Sequence, residues 1–254
     1  MPRFPVTSAR RLGALTAGLL LVAGLAHAPA TADEGSTTPD PAAPTLAVGA
    51  CHDLTVRQIE APSIPVKPVA CTKDHTAVVT AVPTLPSTLT WASAHDDIAA
   101  AASTTCWKSV EKRVGSNPLL WARSQYGLAW YEPAQAQKDA GARWFSCHVV
   151  VFQDTRLGDL PTRLPKLSKK MPDSIARCGA PRTFAYTTCA DRHAARSTYS
   201  FFVKKKTTKR NANIAAGKVC PRHVPNPKPS KWMLSWQEFN AKKFIVVCYA
   251  KTKH

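Results

Sequence analysis

Past its first 26 residues the 254-residue chain has no uncharged apolar run long enough to cross a bilayer, a task that takes about 20 such residues. The remainder is therefore expected to be soluble or held at a surface by non-covalent contacts. Neither G-x-S-x-G nor H-E-x-x-H occurs, so the local signatures of a serine hydrolase and of a zinc protease are both missing. Acidic residues nearly vanish from the last third: residues 166–254 contain only Asp173, Asp191 and Glu238. A glycosidase, which needs two carboxyls astride the scissile bond, would have to draw on the first half or bring Glu132 and Glu238 together.

What is present begins with an export signal. Arg3, Arg10 and Arg11 precede an apolar run from Leu12 to Ala26, and small residues follow, so cleavage after Ala28, Ala30 or Ala32 fits a signal peptidase equally well. The run is too short to make a comfortable membrane anchor. Residues 1–32 are thus expected to be a signal peptide. Residues 33–45, rich in Ala, Pro and Thr, bury too little apolar surface to offset chain entropy and read as a flexible linker.

Eight cysteines fall into two ordered sets, Cys51, Cys71, Cys106 and Cys147, then Cys178, Cys189, Cys220 and Cys248. Their neighbourhoods echo one another. Cys71 to His75 and Cys189 to His193 each spell C-x-x-x-H, and Leu128 to Glu132 and Leu234 to Glu238 each spell L-[AS]-W-x-E before the last cysteine. An even number of cysteines in an exported chain reads as disulfides, with no thiol left to serve as a nucleophile. C-x-x-x-H resembles half a zinc site, but no second close pair of Cys or His accompanies it, so neither metal nor other cofactor is expected.

Four cysteines per copy allow three pairings, and local structure favours one. Cys51 and Cys71 flank a proline-rich excursion, as Cys178 and Cys189 flank a shorter one, which suggests that each couple is bonded. Ile98, Ala102, Cys106, Val110 and Val114 recur every fourth residue as the buried stripe of a helix that Ser93 can cap and Gly115 can end. Cys106 then points inward toward Cys147 in the strand-like run Trp144 to Phe152, and Cys220 answers Cys248 in Phe244 to Tyr249. Strands are also expected at Thr76 to Val82 and Ser197 to Val203, with a short one at each L-x-W-x-E. The expected fold is α+β: two small disulfide-stapled domains, residues 46–154 and 173–254, joined by a linker at 155–172, each a mainly antiparallel sheet with one or two helices.

Charge separates the copies. Residues 45–165 hold eleven Lys+Arg against ten Asp+Glu, whereas residues 166–254 hold twenty against three. The densest run is Lys204, Lys205, Lys206, Lys209 and Arg210, with Lys242 and Lys243 further on. Such an imbalance opposes folding by self-repulsion and makes sense beside an anionic surface. Outside the cell that surface would be a wall polymer or a membrane; nucleic acid would bind in vitro but is no physiological partner for an exported chain. Trp232 and Trp236 sit among these lysines and could stack on sugars, although the core is their expected place. His75 and His193 are expected to anchor turns through the backbone.

The order Cys, C-x-x-x-H, helix cysteine, then Gly141-Ala142-Arg143-Trp144-Phe145-Ser146-Cys147 resembles the septum-formation domain of exported and membrane-tethered actinobacterial proteins. The second copy departs from it: it lacks the Gly-x-Arg-aromatic approach to Cys248, and no acid follows His193. The resemblance implies an envelope location and an association with cell division, and no reaction. The leading expectation is a non-catalytic envelope protein whose second copy docks on an anionic wall or membrane surface while the first meets a protein partner. The alternatives are a secreted hydrolase of wall glycan or peptide, and an extracellular interaction or inhibitor module.

Overall fold

The structure, a computed structural model, describes residues 46–204 and 209–252. The expected signal peptide and linker, and Lys205 and Lys206, lie outside the described residues. The first copy contains β1 (Cys51–His52), α1 (Val56–Ile59), β2 (Ala77–Ala81), α2 (His95–Val114), α3 (Pro118–Trp121), β3 (Tyr126–Tyr131), α4 (Gln135–Asp139), β4 (Ser146–Gln153) and β5 (Arg156–Leu157). The second contains β6 (Arg177–Gly179), β7 (Tyr186–Thr188), β8 (Ala195–Lys204), α5 (Lys209–Val219), β9 (Trp232–Asn240) and β10 (Lys243–Lys251). The fold is α+β, with two sheets whose strands pair antiparallel.

The two sheets share a strand order. The first sheet runs β1-β2-β4-β3 and the second β6-β8-β10-β9 with β7 added outside β6. Four disulfides sit at matching places: Cys51–Cys71 and Cys178–Cys189 clip the first strand of each sheet to its excursion, and Cys106–Cys147 and Cys220–Cys248 tie a helix to the central strand. Cα separations of 5.1 to 5.4 Å lie in the range that a disulfide spans. No described cysteine is free.

Helix α2 buries Ile98, Ala102, Cys106, Val110 and Val114 against the first sheet and stops at Gly115, whose φ of 116° suits glycine. Its start differs from the expectation. Ala94 is the N-cap, without a side-chain bond, because the Ser93 hydroxyl turns back to accept the Thr90 N–H; Asp96 and Asp97 in the first turn still complement the helix dipole. The opposite face of that sheet is covered by the chain's own proline-rich excursion. Leu54, Val56, Ile59, Ile64 and Val66 pack onto Ala77, Ala129, Tyr131 and Val150, and α1 within it is closed by a reciprocal capping box between Thr55 and Gln58.

The strand that carries L-x-W-x-E is correctly located in each half, but the two are not in register. Trp130 stands opposite Cys147, whereas Leu234 stands opposite Cys248 and Trp236 opposite Val246. The echo is displaced by two residues, so Glu132 corresponds in space to Trp236 and not to Glu238. A shift of two keeps the same face of the sheet, which is how the motif can slide without exposing its leucine. Strand β9 is also longer than the short strand expected there.

Residues 155–172 do more than join the halves. Leu157, Leu160, Leu164 and Met171 are buried, the Leu160 N–H donates to the His75 carbonyl, and the Tyr126 hydroxyl donates to Pro165 O. This strap belongs to the core. The halves themselves are sewn together: Gln125 N–H donates to Ile175 O and Arg177 N–H to Arg123 O, with Ser124 bridged to Ala176. One apolar cluster unites Val110, Val149 and Tyr126 with Ile175, Cys178 and Cys189. A second sets Leu119 in the first turn of α3 and Ala122 just beyond its end on Ile245, Val247 and Tyr249 of β10. The face of the second sheet is thus partly covered by the first copy.

Candidate functional site

Three of the basic residues singled out from the sequence meet among the described residues. Lys209 and Arg210 open α5, and their side chains are not described. Lys204, Lys242 and Lys243 do come together, because β8 and β10 pair Lys204 directly with Lys243 and only Ala241 and Lys242 separate β9 from β10. The turn is fixed by Asn240, whose Oδ1 accepts the N–H groups of both Lys242 and Lys243 at 2.9 Å. All three lysines are exposed. Like charges placed opposite one another across a ladder are unfavourable, and among the described residues the ion pairs lie elsewhere: Lys138 with Glu132, Arg156 with Asp191 and Arg196 with Asp173.

Aromatic rings share this end of the sheet. Phe202 and Phe239 touch at 5.0 Å between ring centres, and the Lys243 ammonium lies 5.0 Å above the Phe202 ring. On the other face Trp236 meets Phe244 edge to face at 5.4 Å. Trp236 is 42% exposed, contrary to the expectation that the core would take it. Trp232, at the far end of β9, is half-buried and packs in the cluster under α5 as expected.

The motif histidines are turn anchors with matching geometry. His75 Nδ1–H donates to Lys73 O and His193 Nδ1–H to Asp191 O, both at 2.8 Å, and both rings are buried. Each is followed by a strand whose first residues pack inward, so the imidazole closes the turn that feeds the sheet. Glu132 is ion-paired to the Lys138 ammonium and is almost buried.

Sequence reasoning missed a second pair of histidines. His52 on β1 and His148 on β4 are both fully buried, with ring centres 5.6 Å apart, and His148 also meets Tyr131 edge to face at 5.0 Å. His148 Nε2 shares a hydrogen bond of 2.9 Å with the Ser146 hydroxyl, whereas His148 Nδ1 and both His52 ring nitrogens have no hydrogen-bond partner among the described residues. Burial lowers the pKa of both rings, opposed at His52 by the backbone of Lys67 and Val66; that of His148 falls to about 3, helped by the neighbouring His52. Burial also raises Tyr131. The group is a neutral polar knot beneath the excursion that Cys51–Cys71 clips. Its only sequence signal is a histidine inside the otherwise apolar run of β4.

Two clefts are open to solvent. One, of about 510 Å³, lies on the first copy between Trp91, Gln135, Lys138, Asp139 and Arg143. Its walls are structural: Lys138 sits 5.1 Å over the Trp91 ring, the Trp91 N–H donates to Ala142 O, and Arg143 Nη2 donates to the carbonyls of Leu85, Pro86 and Leu89. The other, of about 330 Å³, lies at the seam between the copies beside the Arg156–Asp191 pair. No group of three or more metal-binding side chains occurs among the described residues, and no described helix is long and apolar enough to cross a membrane. Comparison with known proteins gives no match to a family model, a curated protein or a solved structure.

Proposed function

We propose that this is an exported, non-catalytic protein of the cell envelope that docks on an anionic surface, wall polymer or membrane, through the end of its second sheet. The observation that carries this reading is the exposed triplet Lys204, Lys242 and Lys243, brought to one end of the second sheet beside aromatic rings. The chain keeps like charges adjacent there at a cost to its own fold, and an external polyanion offsets that cost. Four disulfides fit an oxidising, extracytoplasmic compartment, and the apolar run behind Arg10 and Arg11 supports export. The likeness to septum-formation domains supports a role near the division site, with the neutral first copy available to a protein partner.

Retention on purified cell wall and on envelope membranes over a salt series tests the docking. Binding should weaken as ionic strength rises, and Lys204→Glu, Lys242→Glu and Lys243→Glu together should abolish it with the melting temperature unchanged or raised. Retention that ignores both salt and these changes overturns the reading.

A further inference from the structure

The two copies finish the same end of the sheet in different ways. In the first, residues 132–145 and α4 intervene between β3 and β4, and the place is closed: Glu132 is ion-paired to Lys138 and its N–H donates to Pro62 O. In the second, a turn of two residues replaces all of this, and the equivalent place holds Trp236, exposed beside Phe244. The arm from Leu85 to Leu89 that Arg143 clamps in the first copy lies between β2 and α2; the segment at that place in the second, residues 205–208, lies outside the described residues. Among the described residues the hairpin end exposes an indole and lysines together where its counterpart is closed.

We infer that this hairpin end seats in the headgroup layer of an anionic bilayer, with Trp236 entering the interface and Lys204, Lys242 and Lys243 meeting lipid phosphates. The inference rests on the docking proposed above and selects its partner. Of the rings at this end, Phe202 and Phe239 are half-buried in the cluster with Ile245 and Val247, whereas Trp236 leans on Phe244 and stays exposed beside the lysines. Indole rings favour the membrane–water interface because they join an apolar body to a polar N–H, and lysines above them reach phosphate while their stems stay in apolar surroundings.

The oxidised protein, freed of its first 32 residues, should sediment with phosphatidylglycerol-containing vesicles and not with phosphatidylcholine alone. Each lysine changed to Gln should weaken binding about fivefold, and Trp236→Ala about tenfold, while retention on cell wall should be less affected by the tryptophan. Trp236→Phe, which preserves packing on Phe244, guards against a folding artefact. The fluorescence difference between the wild type and this variant should shift to the blue on vesicles and be quenched by brominated lipid. Vesicle binding that is indifferent to Trp236→Ala, or a difference spectrum unmoved by lipid, overturns the inference. Binding to wall with no binding to anionic vesicles overturns it while leaving the docking proposal intact; failure on both surfaces removes both.

Discussion

The two halves of the molecule share a skeleton and differ in what covers it. Strand order, the two disulfides per copy and the turn-anchoring histidine correspond, down to an equal 2.8 Å bond from His75 and from His193 to the carbonyl two residues earlier. The coverings do not correspond. The first sheet is roofed by its own excursion, residues 53–70, and by the arms around Trp91 and α4; the second has a shorter excursion, leans on α3 of the first copy and, among the described residues, exposes Trp236 near its hairpin end. Covalent links and central strands carry the fold of each copy, so the outer layers were free to diverge. The difference in charge follows the same line, since the basic excess lies in the copy with less covering.

At neutral pH, breaking the staples should give the largest effect. The Cys106–Cys147 bond closes 41 residues and Cys178–Cys189 only 11, so paired substitution to Ala should cost about 4 kcal/mol for the first and about 3 kcal/mol for the second, read by denaturant unfolding. Because one apolar cluster spans both halves, each loss should lower a single transition. Two separate transitions would show that the halves stand independently.

Acid should separate the copies next, since the buried His52–His148 pair belongs to the first alone. Both imidazoles are held below their ordinary 6.5, His148 at about 3. The unfolded chain therefore takes up protons that the folded chain refuses. Stability should be level above about pH 7 and fall as pH drops below 6.5, with His148 contributing about 1.4 kcal/mol per pH unit until its own pKa near 3 and His52 adding to the fall in the same direction. His148→Leu should flatten the slope by close to one proton. An unchanged slope would mean that the pair is charged or accessible in the folded protein.

The matched turn anchors offer a finer comparison. His75→Ala and His193→Ala each remove the ring's hydrogen bond to the backbone carbonyl two residues earlier and should cost about 1 to 2 kcal/mol, read by denaturant unfolding. A negligible cost at either would show that the ring does not hold its turn. The smallest effect belongs to Arg156→Ala. Its pair with Asp191 links the halves, yet the arginine side chain is 59% exposed, so the melting curve should move by no more than about 0.5 kcal/mol.

Much of the skeleton was legible in the sequence. The α2 stripe stood out because one apolar residue every fourth position admits only a helix face, and the cysteine pairs followed from the elements that hold them. The helix cap was not, since a serine hydroxyl near a helix start has several backbone partners and Ser93 chose Thr90. The strap at 155–172 escaped because Pro161, Pro165 and Pro172 interrupt it, so the three-, four- and seven-residue spacing of Leu157, Leu160, Leu164 and Met171 makes no helix, although all four are buried. At the site, the lysines were visible as a run, but their meeting depends on a pairing of distant strands, and it kept Lys204, Lys242 and Lys243 together without assigning Lys209 or Arg210 a place beside them. Trp236 was misplaced because a motif that looks identical had slipped by two residues. The His52–His148 knot gave almost no warning, as two lone histidines far apart in the chain carry no spacing to read.

Tandem modules usually behave as beads that can be shuffled, swapped or lost one at a time. The seam from Arg123 to Arg177, with α3 laid on the neighbouring sheet, denies this chain that freedom: each half has become a wall of the other's interior. A substitution at Leu119 or Ile175 is therefore felt on both sides of the duplication, and the pair can change only as one inherited unit.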